Sequence, residues 1–278
     1  MQDEIRSLVR QKLEAGEIDL FLGYGQGTLP GRVKPLEISD PNQAGQLIWN
    51  ENCDHNLTNY LVRHKGKTVG ILVKPCDSRT LVTLIKENQV ERARVWALGV
   101  RCPGVKSQVD GKAQLQIQCL SCDIRTPPLA DAVVGPEVDP GAVDLDDPFE
   151  RMTPKERWER FRADMERCIR CYACRNACPV CYCKVCFVDQ AMPTYVSPGN
   201  DTVDSAFFQI GRLMHIAGRC GECGACTRVC PMNIPLGKLT RKVAHFLEKT
   251  YGAKAGMSLE EPDAFGAFSP DDDNSMFL

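Results

Sequence analysis

Two cysteine runs carry the clearest chemistry in this sequence. The first reads Cys168-Ile-Arg-Cys171-Tyr-Ala-Cys174-Arg-Asn-Ala-Cys178-Pro179, and the second sets Cys220, Cys223, Cys226 and Cys230 at the same intervals before Pro231. A C-x2-C-x2-C-x3-C-P run gives three thiolates to one 4Fe-4S cube and its fourth to the other cube when two runs share a fold. The spacing therefore predicts two crosswise sets. Cys168, Cys171, Cys174 and Cys230 form one; Cys220, Cys223, Cys226 and Cys178 form the other. Structural zinc competes for such thiols, but zinc needs only four tetrahedral ligands and prefers C-x2-C pairs far apart. Two full quartets ending in Cys-Pro fit iron and sulfide better. The first run continues into Cys181, Cys183 and Cys186. These three read as alternative ligands, a site for another metal, or buried bystanders.

Four more cysteines, Cys76, Cys102, Cys119 and Cys122, make a candidate third 4Fe-4S site, with Cys53 able to replace one of them. The plainer reading is that some are small buried hydrophobes. Arg170, Arg175, Arg219 and Arg228 stand beside the quartets. Positive charge there would favour the reduced cluster, whereas arginines of a solvated surface would do nothing. His55, His64, His215 and His245 are scattered, and no Ser-His-Asp set is evident.

Composition sets the compartment and the excluded classes. Of 278 residues, 43% are hydrophobic and 25% charged, which suits packed globular domains, and the length allows two. A net charge of -2 gives no reason for a nucleic-acid partner. Met1-Gln-Asp-Glu-Ile-Arg6 lacks an apolar signal region, and no run approaches the ~18 apolar residues of a membrane span. Sixteen cysteines in such a chain point to metal ligation in a reducing cytoplasm rather than to disulfides.

The elements that must hold these thiols follow from periodicity. Residues 2–15 read as a helix with Ile5, Leu8, Val9 and Leu13 inward, and 18–22 as a strand. Gly23-Tyr-Gly25-Gln-Gly27 then reads as a turn, with a phosphate cradle as the sharper alternative. An extended piece spans 33–38 and a helix 56–64. Strand 67–74, a helix with Leu81, Leu84 and Ile85 inward, and strand 93–100 make a parallel βαβ unit. Cys76 and Cys102 then lie past strand C-termini, where open α/β sheets place ligands, and Asp77 can cap the intervening helix. A Pro-, Asp- and Gly-rich stretch over 124–152 marks the linker. Thr153-Pro-Lys-Glu156 is a capping box that starts the helix delivering Cys168. Val203, Phe207, Ile210, Met214 and Ala217 form one helical stripe, and Leu236, Leu239, Val243, Phe246 and Leu247 another; both read as core. The expected fold is an α/β N-terminal domain with a short parallel sheet (1–135), a linker (136–152), an all-α dicluster ferredoxin domain (153–254) and an acidic flexible tail (255–278). Phe265, Phe268 and Phe277 of that tail could dock on a partner.

Helices around both quartets make residues 153–250 resemble the dicluster module of succinate dehydrogenase iron–sulfur subunits and heterodisulfide reductase partners. Cys119-x2-Cys122-Asp123 followed by Leu129-Ala-Asp131-Ala-Val-Val-Gly135 resembles a motif of the beta subunits of deazaflavin-reducing hydrogenase and related formate dehydrogenases. The Pro75-Cys76-Asp77 turn and the strand into Arg101-Cys102 extend that likeness over 60–135. The resemblance implies a 4Fe-4S cluster on Cys76, Cys102, Cys119 and Cys122, FAD exchanging hydride with a deazaflavin, and Asp131 and Gly135 shaping the site. Here the ferredoxin module follows this domain, and the domain ends near Gly135, so a relative that kept the cluster without the hydride chemistry is one outcome. The expected function is an iron–sulfur electron-transfer subunit of a multi-subunit redox complex. It would stand between a flavin, hydrogenase or dehydrogenase partner and a second, heterodisulfide-reductase-like partner. An FAD-dependent oxidoreductase subunit is the alternative, and a zinc-stabilised assembly platform comes last.

Overall fold

Branched and aromatic residues in unbroken apolar runs build a sheet buried on both faces, as parallel sheets are. The computed structural model describes residues 1–109, 112–139 and 148–262. Its first half contains α1 (Gln2–Glu14), β1 (Leu20–Gln26), β2 (Val33–Ile38), β3 (Val69–Val73), α2 (Pro75–Lys86) and β4 (Val95–Val100). β5 (Lys106–Val109), β6 (Lys112–Leu115), α3 (Ile117–Leu120) and β7 (Ala132–Val134) follow. The main sheet runs β2-β1-β3-β4-β7; β1, β3, β4 and β7 are parallel and β2 pairs antiparallel at one edge. The β3-α2-β4 crossover is the expected βαβ unit. Phe21, Ile71, Leu81 and Leu98 are fully buried at its centre, and α1 adds Ile5, Val9 and Leu13.

Two expectations change here. Gly23–Gln26 are neither a turn nor a phosphate cradle: they continue β1, paired with β2 throughout. A Cβ at Gly23 would meet Leu47 at 2.6 Å and one at Gly25 would meet Leu36 at 2.9 Å, so these glycines admit neighbouring side chains rather than a ligand. The helix expected over 56–64 is a 3-10 turn, Leu57–Arg63, capped by Asn56. The β5-β6 pair in the loop after Cys102 had no periodic signal.

The second half is helical: α4 (Pro148–Arg151), α5 (Pro154–Arg167), α6 (Ala173–Asn176), α7 (Thr202–Ile216), α8 (Ala225–Arg228) and α9 (Leu236–Tyr251). Thr153 and Glu156 close the capping box at the start of α5. Phe161, Met165, Phe208, Ile234, Leu236 and Leu239 pack around Cys168 and Cys174. α7 is turned the other way from its apolar stripe. Val203 is 77% exposed, with Phe207, Ile210 and Met214 also exposed, while Ser205, Gln209 and Arg212 are buried with Phe208 and Ile216. Phe246 of α9 is likewise exposed. Apolar period alone selects the face with more hydrophobic side chains; here the thiols on the inner side call for polar ones.

A polar seam joins the halves. Arg79 of α2 donates to Glu222, to the Cys220 carbonyl and to the Ala255 carbonyl. Arg219 and Tyr182 both engage Glu87. Arg228 pairs with Asp54, Arg241 with Glu222, and Lys254 with Asp123. Residues 140–147 of the expected linker and 263–278 of the expected tail, with Phe265, Phe268 and Phe277, lie outside the described residues. Among the described residues, no helix is long and apolar enough to cross a membrane.

Candidate metal centres

Each cysteine run folds into the same local form because its spacing allows little else. Arg170 and Tyr172 in the first run and Glu222 and Gly224 in the second take positive φ. One helical turn follows in each, α6 and α8, closed by matching bonds: Cys178 N donates to the Arg175 carbonyl, and Cys230 N to the Thr227 carbonyl. The chain then turns at Pro179 or Pro231, and the fourth cysteine leaves its own run.

That departure is crosswise. Cys168, Cys171, Cys174 and Cys230 line one cavity, with Arg170, Gln209 and Phe208 in its wall. Gln209 of α7 donates to the Cys174 sulfur at 3.7 Å and the Cys168 sulfur at 3.9 Å, and Ile234 N donates to the Cys230 sulfur at 3.4 Å. Cys220, Cys223, Cys226 and Cys178 form a second group whose sulfurs act on one another. Burial, then the neighbouring thiols, pushes Cys220 well up; burial also pushes Cys223 and Cys226 up. Cys178 is raised by its hydrogen bond with Cys181 and then by burial. Thiols crowded in this way keep their protons unless a metal takes the sulfur.

The remaining cysteines differ in setting. Cys76, Cys102, Cys119 and Cys122 follow one another as electrostatic neighbours, and Cys76 also faces Cys223. Burial pushes Cys102 up to about 11. Cys53 also rises to about 11 through burial, but its sulfur accepts from Asn50 N at 3.4 Å within its own turn. Cys181 lies against Cys178, Cys186 beside Arg175, and Cys183 is exposed. Among the described residues, no three His, Cys, Asp or Glu side chains gather at single-ion distances. A cube, with one thiolate on each of four irons, spreads its ligands wider.

The residue types fit such a cube at the two quartets. Four sulfurs surround each position. Buried donors on Arg170 and Arg212 are left without partners around them, as expected where an acceptor-rich group completes the site. The arginines named from sequence are largely neutralised: Arg175 Nη1 donates to both Asp189 oxygens, Arg219 is bidentate to Glu87, Arg228 meets Asp54, and Arg170 lies 3.8 Å from Asp204.

Sequence reasoning missed two groups. Lys74 is 2% exposed, and its ammonium donates to Asp77 at 2.7 Å, to the His55 carbonyl at 2.7 Å and to the Tyr24 hydroxyl. Asp77 also caps α2 by accepting from Lys74 N at 3.2 Å. The charge of Lys74 acts on Cys53, Cys76, Cys102 and Cys119. Gln209 and Arg212 are the other group; a glutamine and an arginine inside an apolar-looking helix were the available signal. Asp131 accepts from Ala97 N at 2.7 Å and pairs with Arg92, near the start of β4 and away from Cys102. Gly135, with φ +92°, accepts from Arg101 at 2.7 Å beyond β7.

A family model described as a 4Fe-4S dicluster domain matches residues 164–234. The chain is 22% identical to the F420-dependent formate dehydrogenase subunit beta of Methanocaldococcus jannaschii, over 94% of this chain and 93% of that one. It is 21% identical to the F420-dependent formate dehydrogenase 1 subunit beta of Methanococcus maripaludis, over 96% and 93%. Both halves thus lie inside one alignment. The polyferredoxin protein MvhB of Methanothermobacter marburgensis is 37% identical over 84 residues, 25% of this chain and 20% of its own length. A chain of the F420-reducing [NiFe] hydrogenase complex of Methanosarcina barkeri is similar over 37% of this chain and 38% of its own, at 19% identity and a TM-score of 0.32. Over nearly its whole length the chain is thus similar to beta subunits of F420-dependent formate dehydrogenases, with a 4Fe-4S dicluster domain matched in its helical half.

Proposed function

We propose that the chain is the iron–sulfur electron-transfer subunit of a hydrogenase- or formate-dehydrogenase-type complex. The observation that carries this reading is the crosswise convergence of eight thiols from two runs. Cys168, Cys171, Cys174 and Cys230 hold one 4Fe-4S cube, and Cys220, Cys223, Cys226 and Cys178 the other. Cys76, Cys102, Cys119 and Cys122 hold a third. When bound, such cubes take up and release one electron at a time. The chain's own part is to hold the three sets in a row. Cys174 of the first set and Cys226 of the second act on each other, and Cys223 of the second acts on Cys76 of the third. Gln209 and the main chain supply donors to sulfur, and the seam around Arg79 fixes the second set against α2. Partners are the other redox subunits of the complex, in line with the relatives being named as beta subunits.

Anaerobic reconstitution followed by iron, sulfide and flavin quantitation tests this. About eight iron atoms per chain are expected for two cubes and about twelve for three. Fewer than four would end the reading. Cys171→Ser and Cys230→Ser should lose the same EPR signal, and loss of different signals would break the crosswise assignment. Stoichiometric FAD retained by the chain would favour the flavin-dependent alternative.

A further inference from the structure

Between the two quartets lies a guanidinium whose position nothing in the fold explains. Arg212 of α7 is 3% exposed. Its Nη2 donates to the Cys174 carbonyl at 3.3 Å. Nε and Nη1 meet no partner in hydrogen-bond geometry, although the Cys181 and Cys226 sulfurs lie alongside. No carboxylate pairs with it among the described residues, in contrast to the four arginines that flank the runs. The groups around it are Cys226 and Cys178 of the second set, Cys174 of the first, and Cys181.

A buried, unpaired charge is strongly destabilising, so a guanidinium persists here only against compensating negative charge. Arginine stays protonated in proteins, and its fork can donate in two directions at once. We infer that Arg212 is a charge shared by both cubes, donating toward the sulfur of each set and raising the reduction potential of both. It is a positioning residue, since it acts on the redox centres through their ligand sulfurs. The sign follows from charge: a fixed cation favours the state with one more electron. Gln209, one turn earlier, reaches only Cys168 and Cys174, so its influence is confined to the first set. This would explain why α7 turns its polar residues inward and leaves Val203, Phe207, Ile210 and Met214 outside.

The inference rests on the two-cube reading, and the test separates the two. The full chain is reconstituted anaerobically, its iron is counted, and it is titrated potentiometrically with EPR detection. If the wild type holds fewer than about eight iron atoms, both the two-cube reading and this inference fall. With wild-type iron in place, Arg212→Gln at full iron content should shift both midpoints negative by a tenfold or greater weakening of electron uptake, about 59 mV per one-electron step. Arg212→Lys, which keeps the charge, should retain most of the wild-type values. Unchanged midpoints in Arg212→Gln, or a shift in one set only, would overturn the inference. If Arg212→Gln fails to hold iron, Arg212→Lys decides: wild-type midpoints support a role for the charge, and a full tenfold shift despite retained charge overturns it.

Discussion

Replacing Gly221 by alanine should loosen the chain measurably although Gly221 binds nothing. It lies between two thiols of the second run, where the first run has Ile169. Its φ is not positive, so any cost is one of space. A Cβ there would stand 2.5 Å from the Thr80 hydroxyl oxygen and 2.7 Å from the Cys76 carbonyl oxygen. Neither can swing clear. The Thr80 hydroxyl donates to that same carbonyl at 2.9 Å and accepts from Asn56 at 3.2 Å, and the carbonyl belongs to the first turn of α2. The cluster loop and α2 must separate, and overpacking of this kind costs about 1–3 kcal/mol. For a chain of this size, each kcal/mol moves the midpoint by roughly 2–4 °C, so a fall of about 2–12 °C is expected. Anaerobic thermal unfolding of the full chain, followed by circular dichroism, reads it. Gly45→Ala is the control: it has nothing within 4 Å and no positive φ, and should be neutral or raise stability by roughly 0.4–1 kcal/mol. Equal midpoints for the two variants would refute the claim that glycine is needed for the loop's approach to α2.

Two further outcomes follow from buried charge. Lys74→Met strands the Asp77 carboxylate, which is fully buried, and should cost about 3–5 kcal/mol in denaturant unfolding; Lys74→Met with Asp77→Leu should recover most of that loss. Burial would raise the Asp54 pKa, but the His55 ring nitrogen 3.1 Å away and the charge of Arg228 outweigh this and hold it below the ordinary 3.8. A depressed acid stabilises the fold at pH above its unfolded value and loses that contribution as pH falls through the folded value. The stability gap between wild type and Asp54→Asn should therefore close as pH falls below about 4. A gap that widens on acidification would contradict the assignment.

Much of the site was legible because its determinants are local. Eight cysteines at fixed short intervals, each run ending in proline, leave the backbone one compact way to turn, and the two loops superpose in their φ signs and closing bonds. The βαβ unit was legible for the same reason: continuous branched runs around one amphipathic helix. The glycine-rich stretch misled because Gly23 and Gly25 answer to Leu47 and Leu36, which reach them from elsewhere in the chain. The stripe of α7 misled because its inner side faces sulfur.

The spacing of the two cysteine runs, the apolar runs of the βαβ unit and the capped entry of α5 are written along the chain, since each depends on neighbours a few residues apart. Three-dimensional packing alone presses the second loop on α2 beside Cys76, buries Lys74 beside Cys76, Cys102 and Cys119, and sets Arg212 among Cys174, Cys178 and Cys226. Those meetings join residues up to about 145 positions apart and are fixed by close packing and by the need of buried charge for a partner. No spacing along the chain records them.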